Sequence, residues 1–214
     1  MNFLAHCLIG AQATSQLPAG RATAIDPDLV AGGFLGDFIK GRVPESMPAG
    51  LARGVRLHRR VDAYSNQQPS IRRSCDRFPA QLRRLAPVFV DIIADHLLSR
   101  NWSSYHDLPI TAFTADTYEL IAGYDDWLSG SARRFFTYMR DTDLLAAYAD
   151  WDVTLRALYS ITRRLNQETL NGQLESAVSA IIDDLAGDFS EYFPDIVDHA
   201  QRWLVDSASP RPQL

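Results

Sequence analysis

Apolar residues recur along most of this chain at intervals of three and four, the period of helices with one buried side. Asp26-Pro27 reads as a cap followed by proline at the first helical position, opening a helix through about Ile39 that Gly41 closes. A second helix is predicted from about Pro48 to Tyr64, with Leu51, Val55, His58, Val61 and Asp62 on or near one side. Pro69 starts another through Arg77, and Pro79 restarts it towards Leu85. Val88 to Trp102 is strongly apolar and reads as a central helix. Pro109 to Gly123, Ser131 to Arg140 and Asp143 to Leu165 follow, the last with a break near Trp151. A final pattern runs from Gly172 to Val205, where Pro194 should kink or split it. No alternation of period two stands out, so the expected fold is all-α.

Length and composition change this picture little. A chain of 214 residues, 46% apolar, suits one helical domain, here 1–206, followed by a tail at 207–214. No uncharged apolar run reaches the roughly 18 residues of a transmembrane helix. The start, Met1-Asn2-Phe3-Leu4-Ala5-His6, lacks the basic residues of a secretory signal, and Cys7 and Cys75 have no zinc-type spacing. A cytoplasmic protein without membrane or nucleic-acid partners is the expectation. The net charge of −5 hides an asymmetry: nine arginines and two acids lie between Arg53 and Arg84, against twelve acids and three arginines between Asp141 and Asp198. The basic segment reads either as attraction for an anionic partner or as a solvated helix face.

Two stretches carry candidate chemistry. In His58-Arg59-Arg60-Val61-Asp62, His58 and Asp62 are one helical turn apart; in Asp91-Ile92-Ile93-Ala94-Asp95-His96, Asp91 and Asp95 share a face that His96 adjoins. Both lie in apolar surroundings, where ionised groups are costly unless paired or bound to metal. His6 has a similar apolar setting, and Asp37 is the one acid in the glycine-rich run Gly32 to Gly41. Imidazole and carboxylate donors suit Mn, Fe, Zn or Mg, and flanking arginines such as Arg56, Arg59 and Arg60 suit phosphate. Metal-dependent phosphoester hydrolysis is the leading reading; its plain alternative is a buried polar network in which His58 and Asp62 merely pair. His106 and His199 read as structural or surface residues. There is no H-E-x-x-H, G-x-S-x-G, Walker loop or paired C-x-x-C.

Four stretches, Met1 to His6, Gly36-Asp37-Phe38-Ile39-Lys40-Gly41, His58 to Asp62, and Asp91 through His96 to Trp102, together resemble the acyl carrier protein phosphodiesterases, also called holo-acyl-carrier-protein hydrolases. The resemblance implies an all-helical fold related to HD-type metal phosphohydrolases. It implies removal of the 4′-phosphopantetheine arm from the serine of holo-acyl carrier protein, with Mn²⁺ or Mg²⁺ as cofactor. Carried over by motif, His6, Asp37, His58, Asp62, Asp95 and His96 are the candidate metal-site residues, with Asp91 second. Two departures stand out: Asn101 precedes Trp102 where a histidine is expected, and Ser65-Asn66-Gln67-Gln68 is amide-rich.

The mechanism expected on this basis has Asp62 or Asp95 orient the attacking water or accept its proton. Arg59 or Arg60 would neutralise the phosphoryl oxygens, and the wider arginine cluster would steer the acidic carrier protein. Two other readings are a metal phosphohydrolase acting on a nucleotide or another small phosphoester, and a non-catalytic adaptor that binds an acidic protein.

Overall fold

The computed structural model describes residues 1–14 and 25–208. Among them there are ten α-helices, three short 3₁₀ turns and no strand: α1 Phe3–Gln12, α2 Pro27–Leu35, α3 Ala49–Ser65, α4 Pro69–Asp76, α5 Ala86–Arg100, α6 Ile110–Ala122, α7 Gly130–Asp141, α8 Leu144–Ala147, α9 Trp151–Arg164 and α10 Asn171–Ala208. The all-α expectation holds.

Helix α1 is a central element, with every residue from Leu4 to Gly10 buried. It packs on α2, and α2 on α3, at backbone-to-backbone distance. A Cβ on Gly33 would lie 2.8 Å from the His6 carbonyl oxygen, and one on Gly32 would lie 2.4 Å from the Gly54 carbonyl carbon. These glycines lower helix propensity, and here they are what lets three helices close up. Asp26 caps α2 by accepting from the Asp28 amide, with Pro27 at the first position. The helix ends at Leu35, four residues before the expected Ile39, and the chain turns at Gly36 to Phe38.

Two further boundaries differ from the sequence pattern. Residues 79–85 form turns rather than a helix, and α5 begins only at Ala86. Pro194 does not split α10, which runs unbroken for 38 residues. The proline deprives the Ser190 carbonyl of its donor, but both residues are exposed, so water can serve instead. Buried Phe189, Tyr192, Phe193 and Ile196 hold both sides of the proline on the core. Because α10 reaches Ala208, the tail expected at 207–214 starts inside it, and residues 209–214 lie outside the described residues.

Helix α10 packs along α3 and α4. The α4 contact is fixed by Asp188, whose side chain is 3% exposed and accepts from Arg73 at 2.7 Å, Arg77 at 2.8 Å and Ser74 at 2.9 Å.

Candidate metal centre

His6 from α1 and His58 from α3 meet where the glycine contacts bring their helices together. The two rings stack with centroids 3.8 Å apart, and both residues are buried. Asp62, one turn beyond His58, sits across both rings: its Oδ1 is 3.0 Å from His6 Nε2 and its Oδ2 is 3.2 Å from His58 Nε2. Ligand atoms from His6, His58 and Asp62 all lie within 4.8 Å of one another, the geometry of a three-donor ion site. Asp37, in the turn after α2, stands beside them with Oδ1 3.9 Å from His58 Nε2.

The proton arrangement favours a cation there. His58 Nδ1 lies 2.8 Å from the Gly33 carbonyl oxygen, which can only accept, so Nδ1 carries the proton. A neutral His58 therefore turns its Nε2 lone pair towards the Asp62 carboxylate. Two facing acceptors repel unless a proton or metal ion lies between them, and a bond from the other ring nitrogen to a carbonyl is the usual way to fix a ligating tautomer. Burial, then the neighbouring His58, push His6 down to about 3, so His6 is neutral at pH 7. Burial works to raise the Asp62 carboxyl, but hydrogen bonding with His6 and the nearby α-ammonium group of Met1 hold it well below the usual carboxylate range. Burial raises Asp37, against the pull of His58.

Asp95 and His96 occupy different positions from this group. Asp95 is fully buried, and its two oxygens accept from the Leu4 amide at 2.8 Å and the Ala5 amide at 3.0 Å. It supplies the N-terminal cap that Asn2 does not make, and so holds the helix that carries His6. Burial pushes its carboxyl up to about 7, against those two amide bonds. His96 points elsewhere: its Nδ1 bonds the Tyr148 carbonyl at 2.8 Å, and its ring packs edge-on against Trp151. Adjacent residues on a helix diverge by about 100°, which explains why Asp95 and His96 part company. Asp91 accepts from the α-ammonium group of Met1 at 2.8 Å, and that group lies 3.7 Å from Asp62.

The arginines also sort themselves. Arg59 donates to the Ile39 carbonyl, and with Arg56 and residues of the 42–47 loop it lines a separate pocket; Arg60 is exposed. Asn101 bonds back to the Leu97 carbonyl at 3.0 Å, which closes α5. Neither thiol is paired; burial pushes Cys7 up strongly and Cys75 to about 11, so neither is a ready nucleophile.

A cleft of about 1000 Å³ opens beside the three-donor group, reached past Met1, Asp37 and Asp91. Its floor is apolar, from Phe3, Phe38, Ile92, Phe135 and Val153. Sequence reading missed the far wall, where Arg156, Ser160 and Arg164 of α9 line the same cleft. Their spacing of four is the sequence signal for them, set in a segment where acids outnumber arginines.

The family model described as acyl carrier protein phosphodiesterase matches residues 1–196. Relatives from Escherichia coli strains CFT073 and SMS-3-5, both named acyl carrier protein phosphodiesterase, are each 30% identical over 207 residues, covering 94% of this chain and 98% of the relative. No solved structure matches the chain.

Proposed function

The chain belongs to the acyl carrier protein phosphodiesterase family, and from that premise we propose that it hydrolyses the phosphodiester joining 4′-phosphopantetheine to the serine of holo-acyl carrier protein, with a divalent ion, Mn²⁺ or Mg²⁺, as cofactor. It is a hydrolase of phosphodiester bonds by family. The observation that carries the metal dependence is the convergence of His6, His58 and Asp62, with the His58 lone pair aimed at a carboxylate. These three residues are assigned to hold the ion. When bound, it supplies a lowered pKa for water and polarisation of a phosphoryl oxygen.

The chain's own groups do the rest. Asp37 is half-exposed and lines the cleft, and burial raises its carboxyl while that of Asp62 is held low, which makes it the better base of the two. It is assigned to take the proton of the attacking water. The P–O bond to the serine breaks, the serine oxygen takes up a proton, and apo-carrier and 4′-phosphopantetheine leave. Asp95, with both oxygens committed to amides, is assigned to positioning rather than proton transfer. Arg59 acts through Ile39, steadying the turn that presents Asp37. The delivery of histidines and acids by separate helices supports kinship with HD-type metal phosphohydrolases. Unpaired Cys7 and Cys75 suit the reducing cytoplasm, and no helix among the described residues is long and apolar enough to cross a membrane.

The test is direct. Holo-acyl carrier protein incubated with the purified protein and Mn²⁺ should lose the mass of its prosthetic arm; chelator, or Asp62→Ala, should abolish the loss. Turnover that survives both would end the metal assignment.

A further inference from the structure

We infer that Arg156 and Arg164 of α9, with Lys40 of the same cleft, form the surface that grips the acidic carrier protein. This rests on the proposed carrier substrate and adds where on this chain the carrier sits. The sequence directs attention to the nine arginines between Arg53 and Arg84, yet the fold consumes five of them. Arg53 pairs with Asp26, Arg73 and Arg77 with Asp188, Arg59 donates to Ile39 and Arg83 to the Asp76 and Phe78 carbonyls. By contrast, Arg156 and Arg164 are exposed and line the cleft, and neither has an ion pair among the described residues. Lys40, the one lysine of the chain, lines the same cleft and is likewise exposed.

Geometry selects the occupant. Helix α9 presents two parallel stripes to the cleft: Val153, Ala157 and Ile161 form an apolar one, and Arg156, Ser160 and Arg164 a polar one. Residues 156 and 164 are eight apart, about 12 Å along the axis. One phosphate bound by a guanidinium fork needs donors a few ångströms apart, so this spacing suits an extended row of carboxylates instead. Val88 and Tyr138, two of the five large apolar side chains left exposed among the described residues, also line this cleft. A pendant arm laid along that floor covers them while the acidic face of the carrier rests on the cationic rim.

The test is the double variant Arg156→Glu/Arg164→Glu, compared with Arg72→Glu/Arg84→Glu, two exposed arginines of the basic segment that do not line the cleft. The first should raise KM for holo-carrier tenfold or more, roughly, leave kcat unchanged and flatten the salt dependence of kcat/KM, as expected for rim charges. Mn²⁺-dependent hydrolysis of bis(4-nitrophenyl) phosphate, which has no protein to dock, should be unaffected. The second variant should leave KM for holo-carrier within about twofold. Unchanged KM in the α9 variant, or equal losses on both substrates, overturns the inference. Should the wild type fail to cleave holo-carrier, the substrate reading falls by itself, and fluorescence anisotropy with labelled apo-carrier decides the surface: weaker binding by the α9 variant supports it, and equal or absent binding by the wild type sinks it.

Discussion

Gly36 lies flat against the imidazole of His58: a Cβ at that position would fall 2.1 Å from His58 Cγ. The backbone there is ordinary right-handed helix, and the three atoms nearest to an added Cβ all belong to the His58 side chain. Gly36→Ala should therefore fold, at a cost of about 1–3 kcal/mol for overpacking. It should also weaken Mn²⁺ binding tenfold or more, roughly, because His58 has to rotate off Asp62. Calorimetric titration with Mn²⁺ checks this; wild-type affinity in the variant would show that the ring has room to spare.

Asp95 acts on His6 from a distance. Asparagine can accept from only one of the Leu4 and Ala5 amides, and its own N–H₂ would face the other. Asp95→Asn should cost about 1–3 kcal/mol of stability and lower Mn²⁺ affinity, although the residue is assigned no contact with the ion. A variant with normal melting but no metal binding would instead return Asp95 to the ligand set.

Acid should destabilise the metal-free protein early. His6 is held near 3 in the native state against about 6.5 unfolded. Below pH 6.5 the unfolded chain takes up the proton first, so stability falls with pH, by up to about 1.4 kcal/mol per unit for this one group. Denaturant melts of chelated protein between pH 7.5 and 5 should show that slope in the wild type and lose it in His6→Gln. Parallel slopes would mean that His6 titrates normally.

The clamp between α4 and α10 gives a separate acid effect. Burial works to raise Asp188, but Arg77, Arg73 and Ser74 hold it below the ordinary value. Its contribution is present above about pH 3.9 and lost as pH falls through the native value. Asp188→Ala should lower stability by about 1–3 kcal/mol, part of the loss recovered by water around the half-exposed Arg73. Mn²⁺ affinity should stay put; a matching drop would tie the clamp to the ion site.

Much of this was legible in the chain. Periodicity locates the helices, and the i, i+4 pair His58–Asp62 is visible before any coordinates. What spacing cannot supply is the partner helix. Asp95 and His96 look alike in sequence, yet one caps α1 and the other bonds Tyr148, because their directions are set by α1 and by the 144–151 segment respectively. The early stop of α2 is similarly tertiary: the chain turns at Gly36 where the His58 ring stands. Pro194 misleads for the opposite reason, since a local break is outweighed by core contacts on both sides.

Helix α10 touches α1, α3, α4, α5 and α9 along one rod, and its Gln201 amide reaches back to the Gln12 carbonyl at 3.1 Å. A strut shared by so many neighbours ties their melting to its own. Heating should therefore register as one sharp transition, with the ion pocket and the distant C-terminal turns lost at the same temperature.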